Sequence, residues 1–311
     1  VRSQAVGYAL AVIQAILYST MGVIGKYLFG TGLEPPQVMV LRFSLTFLLL
    51  GAFLVVWRRQ PLFSRQPLVY VQGVFFVGSA LLYFMAVNEI TAGLATVILY
   101  AYPAVVALMG TLVFRERLTK RIVAALVLAM AGVVLISGVL PGSDLQLSPL
   151  GVLYGVGACL TFAVYSVLGQ KVVKKDGTFT ITFSLTAVSL AVLAVSFPAT
   201  FPTMLDLTPT QLGLGAAMAL FNTVIPVALL LISIKIIGAT KASLVGTSET
   251  PFSLLFAYLV LGETLTALQG IGCVLVVASI FVVTLPGRAE RRERKNGQGH
   301  GEPAEAEGEL S

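Results

Sequence analysis

The sequence predicts an all-α polytopic membrane protein, with ten transmembrane helices forming two inverted five-helix repeats around a central cavity. Composition is the first observation behind this. The chain is 57% hydrophobic and 11% charged, with a mean hydropathy of +0.93, whereas a soluble domain carries about 25% charged residues. Apolar length is the second. Segments near 5–28, 36–57, 67–87, 92–113, 121–140, 149–172, 178–200, 211–234, 241–261 and 267–285 reach or approach the roughly 20 residues a helix needs to cross a bilayer. They are continuous rather than alternating, which excludes barrel strands. Internal duplication is the third. Phe43-Ser44-Leu45-Thr46 recurs as Phe183-Ser184-Leu185-Thr186. Tyr18-Ser19 with Gly22 recurs as Tyr165-Ser166 with Gly169. Leu112-Val113, Glu116 and Leu118-Thr119 recur as Leu259-Val260, Glu263 and Leu265-Thr266. A unit of five spans is odd, so the second copy enters the membrane from the opposite face.

The elements follow in order from this frame. The first repeat is expected over 1–140 and the second over 149–285, separated by a polar loop at 141–148 that contains Pro141-Gly142-Ser143-Asp144. The first apolar stretch is of span length and lacks a small-residue cleavage site, so it is expected to remain as a span. Short loops favour antiparallel neighbours. Residues 286–311 turn Arg-rich and then Gly-, Glu- and Pro-rich; such a composition cannot bury apolar area and predicts a disordered cytoplasmic tail.

Charge sets the orientation. With the N-terminus inside, every Lys and Arg except Lys26 and Arg42 falls on inner loops or termini. The positive-inside rule then predicts both ends in the cytoplasm. The net charge of +6 is explained by this bias, and no nucleic-acid partner is expected. Cys159 and Cys273 have neither disulfide nor metal spacing, and the lone His300 lies in the tail. No metal, cofactor or catalytic constellation is expected. No nucleotide-binding motif is present, so ATP is not expected as direct fuel.

These repeats, with a proline and then Glu-x-Leu-Thr in each, resemble the drug/metabolite transporter superfamily, and specifically its EamA-type exporters, over about residues 5–285. Tyr18-Ser19-Thr20-Met21 is similar to the opening helix of the bacterial aromatic amino acid exporters. The resemblance implies a bacterial inner-membrane carrier with two inverted repeats around a cavity. It does not identify the cargo.

Candidate site residues come from polarity at membrane depth. Pro103 and Pro251 occupy matched positions in the fourth and ninth spans. Paired interruptions of this kind point to a transport site; the other reading is a packing kink. Tyr100 and Tyr102 flank the first break, and Ser248, Glu249 and Thr250 the second. Glu249 is the one acid expected within a span. A carboxylate there is expensive unless it faces the interior, finds a partner or binds a proton. It is either an amine or proton site or a structural carboxyl bonded to Thr247 or Ser253. Arg42 is the basic counterpart, and its repeat partner is Thr182. It either meets a substrate carboxylate, to which the guanidinium fork is well suited, or snorkels and pairs with Glu34 or Glu89. Arg42 and Glu249 are expected about 10 Å apart along the membrane normal, within a core of about 30 Å. A small zwitterion would then need tilt or closure to bridge them. Gln14, Tyr18 and Gly22 share one helix face, as do Thr161, Tyr165 and Gly169 in the second copy. These stripes are read as cavity lining or as close helix packing at the glycines. Tyr83 with Ser79, and Asn222, could add to the lining; Tyr83 could equally belong to an interfacial aromatic belt. Glu116 and Glu263 are read as turn and cap residues, with Thr266-x-x-Gln269 as a capping box.

The function expected is therefore secondary transport of a small molecule in the lipid bilayer by a monomer. The leading form is export of amino acids, with aromatic or other hydrophobic side chains favoured, or of similar small metabolites, by alternating access. A drug, nucleoside or nucleotide-sugar carrier of the same fold is the first alternative, and a membrane-embedded enzyme or lipid-handling protein the second.

Overall fold

The structure is a computed structural model that describes residues 2–58, 61–139 and 148–284. The expected inter-repeat loop and tail lie almost wholly outside these residues. The described residues are helical and contain no strand. In the first repeat the helices are α1 (Arg2–Ser19), α2 (Met21–Gly30), α3 (Pro35–Phe53), α4 (Pro67–Glu89), α5 (Ala92–Leu99), α6 (Tyr102–Phe114) and α7 (Lys120–Ile136). In the second they are α8 (Pro149–Val172), α9 (Thr178–Ser196), α10 (Pro209–Ala219), α11 (Ile225–Ile237), α12 (Ala239–Gly246), α13 (Glu249–Leu261) and α14 (Ala267–Thr284). Pairs α1–α2, α5–α6, α10–α11 and α12–α13 each continue one rod through a local break. Among the described residues, nine segments are long and apolar enough to cross a membrane. The predicted fifth span forms α7, which at 17 residues spans only about 26 Å at 1.5 Å per residue.

Helix starts are written in the sequence. Proline opens α3, α4, α8 and α10, where its missing N–H costs no helical bond. The expected capping box before α14 is present: Gln269 N donates to Thr266 Oγ1 at 3.3 Å, and Thr266 N to Gln269 Oε1 at 3.0 Å.

The packing reveals the two-fold relation between repeats. α4 packs along α8, and its counterpart α11 packs along α1. α6 packs on α8, and α12 and α13 pack on α1. α4 meets α9 as α10 meets α3. Two further main pairs, α7 with α14 and α3 with α9, join equivalent helices to each other. The scheme survives exchange of the two copies except at α6 with α12, whose counterpart, α13 with α5, makes no comparable contact. Small residues allow the approach, as is usual for helices in lipid. A Cβ on Gly132 of α7 would lie 2.7 Å from Gly272 O of α14, and one on Gly272 would lie 2.7 Å from Gly132 O.

The glycine crossing of α7 and α14 is testable. Gly132→Leu is expected to lower stability by about 1–3 kcal/mol through overpacking, seen as a lower thermal midpoint in detergent. Gly270→Ala, with open space around the position, is the control expected to leave the midpoint unchanged.

Candidate functional site

A cavity of about 390 Å³ lies between the repeats. Seven rods contribute to its walls, the α10–α11 rod among them through Met218, Leu230 and Ile234. α1 and α2 supply Gln14, Tyr18, Met21, Gly22 and Phe29; α3 supplies Met39, Arg42 and Phe43; α4 supplies Phe76, Ser79, Tyr83 and Phe84. Leu99, Tyr100 and Tyr102 come from the α5–α6 break, Phe162 and Ser166 from α8, and Ser243, Gly246 and Glu249 from α12–α13. The cavity runs from a rim at Phe29 and Pro35 to a floor at Ile234 and Ala239. The floor end is the one that carries Arg115, Arg117, Lys171, Lys174, Lys235 and Lys241.

Helix crossing explains why one end is closed. α6 packs directly on α12, whereas α5 and α13 make no comparable contact. The two broken rods therefore meet at the basic end and splay at the other. A polar cluster fastens the closed end. The Glu116 carboxylate accepts from Gln170 Nε2 at 3.0 Å and from Thr240 Oγ1 at 2.8 Å. Gln170 Oε1 accepts from Ala239 N at 2.7 Å. Gly110 leaves the needed space, because a Cβ there would lie 2.9 Å from both Glu116 Oε2 and Thr240 Oγ1. Glu263, the equivalent of Glu116, pairs instead with Lys26 at the opposite end, on exposed surface. Both glutamates thus hold helices together, as the sequence suggests, and in each case the bond joins one repeat to the other.

The breaks are stabilised in two ways. At α12–α13 the helix satisfies itself: Thr247 Oγ1 donates to Leu244 O at 2.7 Å, Ser248 Oγ to Val245 O at 2.7 Å and Thr250 Oγ1 to Thr247 O at 2.8 Å. This is why Ser248 and Thr250, both buried, do not line the cavity. Thr247 being so bonded, and Ser253 Oγ donating to Ser19 O at 3.5 Å, neither is the Glu249 partner that the sequence suggested. The Tyr100 hydroxyl approaches that carboxylate instead. At α1–α2 similar local bonds form, Ser19 Oγ to Ile16 O at 2.6 Å and Thr20 Oγ1 to Leu17 O at 2.7 Å, and further help comes from across the molecule. Asn222 Nδ2 donates to Leu17 O at 2.6 Å and to Thr20 Oγ1 at 3.0 Å. Asn222 sits in a π-helical turn, Leu220–Val224, between α10 and α11. Arg42 supports that turn, donating from Nε to Thr223 Oγ1 at 2.6 Å and from its NH2 group to Asn222 O at 2.6 Å.

Arg42 therefore neither snorkels nor pairs with Glu34 or Glu89. It is buried, borders the cavity and has the Tyr18 hydroxyl beside it. Tyr83 OH shares a 2.9 Å hydrogen bond with Thr96 Oγ1, and Tyr102 OH donates to Ser243 O at 3.2 Å. Gln14, Tyr18, Gly22, Arg42, Tyr83, Tyr100, Tyr102 and Glu249 thus meet on one cavity. Tyr165 does not. It packs between Phe76 and Phe162, with ring centroids 4.9 and 5.5 Å away, and is 1% exposed. Gly169 faces Gln72 and Leu231 in the α8 packing interface. Pro103 and Pro251 lie in the first turns of α6 and α13, after each break rather than within a helix. They border no part of the cavity wall.

The comparisons with known proteins now have a structural setting. The EamA-like transporter family matches residues 5–138 and again 149–285. The chain belongs to the EamA-like transporter family. It is 27% identical to the uncharacterized transporter YcbK of Bacillus subtilis over 96% of this chain and 97% of that one. It is likewise 27% identical to the threonine/homoserine exporter RhtA of Escherichia coli, over 83% of this chain and 84% of that one. One crystal structure of a protein superposes with a TM-score of 0.73 at 20% identity, covering 94% of this chain and 99% of the other; that likeness concerns the fold alone. This EamA chain is a multi-pass membrane protein of a bacterial transporter family, not an enzyme.

Several residues of this EamA site were not singled out by sequence. Gln170 and Thr240 sit near charged loop ends, where polarity carries no signal. Gln72 and Thr223 lie within apolar spans, and a buried amide such as Gln72, fully buried here, was the signal available. Gln72 Nε2 donates to Tyr165 O at 3.0 Å, a second amide-to-carbonyl bond between the repeats beside that from Asn222 to Leu17.

The Asn222 support has a measurable consequence. Asn222→Val removes the bonds to Leu17 O and Thr20 Oγ1, although those two groups keep the bond between them. A loss of about 0.5–1.5 kcal/mol for each bond removed follows, read as a lower thermal midpoint in detergent.

Proposed function

We propose that this EamA chain is a secondary transporter of the bacterial inner membrane that exports amino acids, or similar small metabolites, by alternating access. It acts as a monomer with ten crossings, the repeats being residues 1–140 and 149–285, and with both termini in the cytoplasm. The observation that carries the reading is the cavity itself. It lies where the two repeats meet, its volume of about 390 Å³ falls within the roughly 300–1,000 Å³ of small-molecule sites, and its few polar groups converge among aromatic walls. Tyr18, Tyr83, Tyr100, Tyr102, Phe43, Phe76 and Phe162 favour cargo with aromatic or other hydrophobic side chains. The similarity to a threonine/homoserine exporter supports amino acids as the class.

The cycle follows from the end-to-end asymmetry. The cavity reaches the rim at Phe29 and Pro35, while the Glu116 cluster fastens the basic end. Under the positive-inside reading, that is a carrier open to the outside and shut to the cytoplasm. Loading for export then requires the Glu116 cluster to release and the α5 and α13 halves to close.

Two experiments test this. In liposomes, saturable counterflow of phenylalanine or threonine is expected, with no exchange of nucleosides; exchange of nucleosides or cationic drugs alone would reject the amino acid class. Glu116→Ala removes two charge-assisted hydrogen bonds, each contributing about 1.5–3 kcal/mol. Labelling of a Ser243→Cys variant, with Cys159 and Cys273 replaced by alanine, is expected to quicken at least about tenfold from the cytoplasmic side, since loss of even about 1.4 kcal/mol shifts a population tenfold. Unchanged labelling would mean that Glu116 does not hold the gate.

A further inference from the structure

The cavity wall carries one cation and one anion that do not neutralise each other. Arg42 and Glu249 both border the cavity, yet no carboxylate lies within ion-pair distance of Arg42 and no Lys or Arg within that distance of Glu249 among the described residues. Each is compensated by dipoles instead. Arg42 has Thr223 Oγ1, Asn222 O and, at 3.2 Å from its NH1 group, Met21 Sδ. A guanidinium has five N–H donors, so these three bonds do not exhaust it. The Tyr100 hydroxyl lies near Glu249. Two opposite charges held apart in an apolar bundle are costly, and an occupant with the reversed dipole fits them best.

We propose that the cavity binds the zwitterionic backbone of an α-amino acid, with the carboxylate at Arg42 and Tyr18 and the ammonium at Glu249 and Tyr100. This rests on the carrier reading above and goes further, because it makes both charged ends of the cargo obligatory. The Tyr18 and Tyr100 hydroxyls border the same cavity, one near the guanidinium and one near the carboxylate, so each adds a polar contact at its pole. Gln14 lines the same cavity. Its Oε1 has no partner and its side chain is 4% exposed, which provides an acceptor for a second ammonium proton. The cargo side chain then projects against Phe76, Phe84 and Phe162.

The test uses the full chain in liposomes and phenylalanine counterflow, with two truncated analogues as competitors. Phenethylamine lacks the carboxylate and 3-phenylpropionate lacks the ammonium. Each is expected to compete at least about tenfold more weakly than phenylalanine, because a site built for a polar group rejects the analogue that lacks it. Glu249→Gln is expected to weaken phenylalanine and phenethylamine and leave phenylpropionate unchanged. Tyr18→Phe is expected to weaken phenylalanine and phenylpropionate and leave phenethylamine unchanged. Tyr18 serves here because Arg42 also supports the Asn222 turn, and its loss would confound binding with folding. Analogues that compete as well as phenylalanine, or variants that weaken all three compounds equally, would overturn the zwitterion assignment while the exchange itself upholds the carrier. Absence of counterflow for phenylalanine and threonine alike would overturn both.

Discussion

Inside a bilayer no water completes an unpaired backbone group, so an interrupted helix must find its hydrogen-bond partners within the protein. The site of this transporter is built from such interruptions. At the α12–α13 break, Thr247, Ser248 and Thr250 turn back onto carbonyls of their own rod. At the α1–α2 break, Ser19 and Thr20 do the same, and the carbonyl of Leu17 is met in addition by Asn222 from the other repeat. Local bonds alone would leave a break autonomous. The added remote bond makes this one depend also on how the repeats are docked. The α1–α2 break is therefore tied to the π-helical turn of the eighth rod, and through Asn222 O to Arg42, so backbone geometry and cavity charge are set by one set of bonds.

The same constraint separates what was legible in the sequence from what was not. Apolar length and duplicated motifs suffice for an all-helical repeat protein, because crossing a bilayer demands both. The Thr266-x-x-Gln269 cap is visible because capping is local. Side-chain direction is harder. Tyr18 and Tyr165 are equivalent in sequence, yet only Tyr18 reaches the cavity. Beside Tyr18 the rod breaks at Thr20, whereas α8 continues past Tyr165 to Val172 and Phe76 and Phe162 close over the ring. Ser248 and Thr250 misled for a different reason. Hydroxyls in an apolar helix serve their own backbone as readily as a ligand, and the sequence does not say which. Prolines marked the breaks to within a few residues, but as the first turns after them, where proline suits a helix start.

Repeat symmetry and its loss explain the two glutamates. Glu116 and Glu263 occupy the same place in two copies of one motif, so each is positioned to fasten the end of the bundle at which it lies. Only Glu116 has gathered Gln170 and Thr240 around it. Glu263 holds Lys26 on open surface, where an ion pair contributes little. In this conformation the sequence is more symmetric than the structure, as a carrier with one end closed requires.

Arg42 sets a limit on that exchange. Gln72 and Asn222 each bond a carbonyl in the other repeat's first rod, Tyr165 O and Leu17 O, so a remote amide is available to both copies. Arg42 does distinguish the copies, because its equivalent is Thr182, which is occupied with Thr178 O in its own helix at 2.9 Å. No second guanidinium exists to take over when the repeats swap roles. If the gates alternate, the cationic pole stays with the first repeat and the anionic pole, Glu249, with the second. Cargo spanning both poles would then feel every relative movement of the repeats, since moving one repeat against the other changes the distance between its two binding groups. That gives bound cargo a means to favour closure, through the same charges that select it.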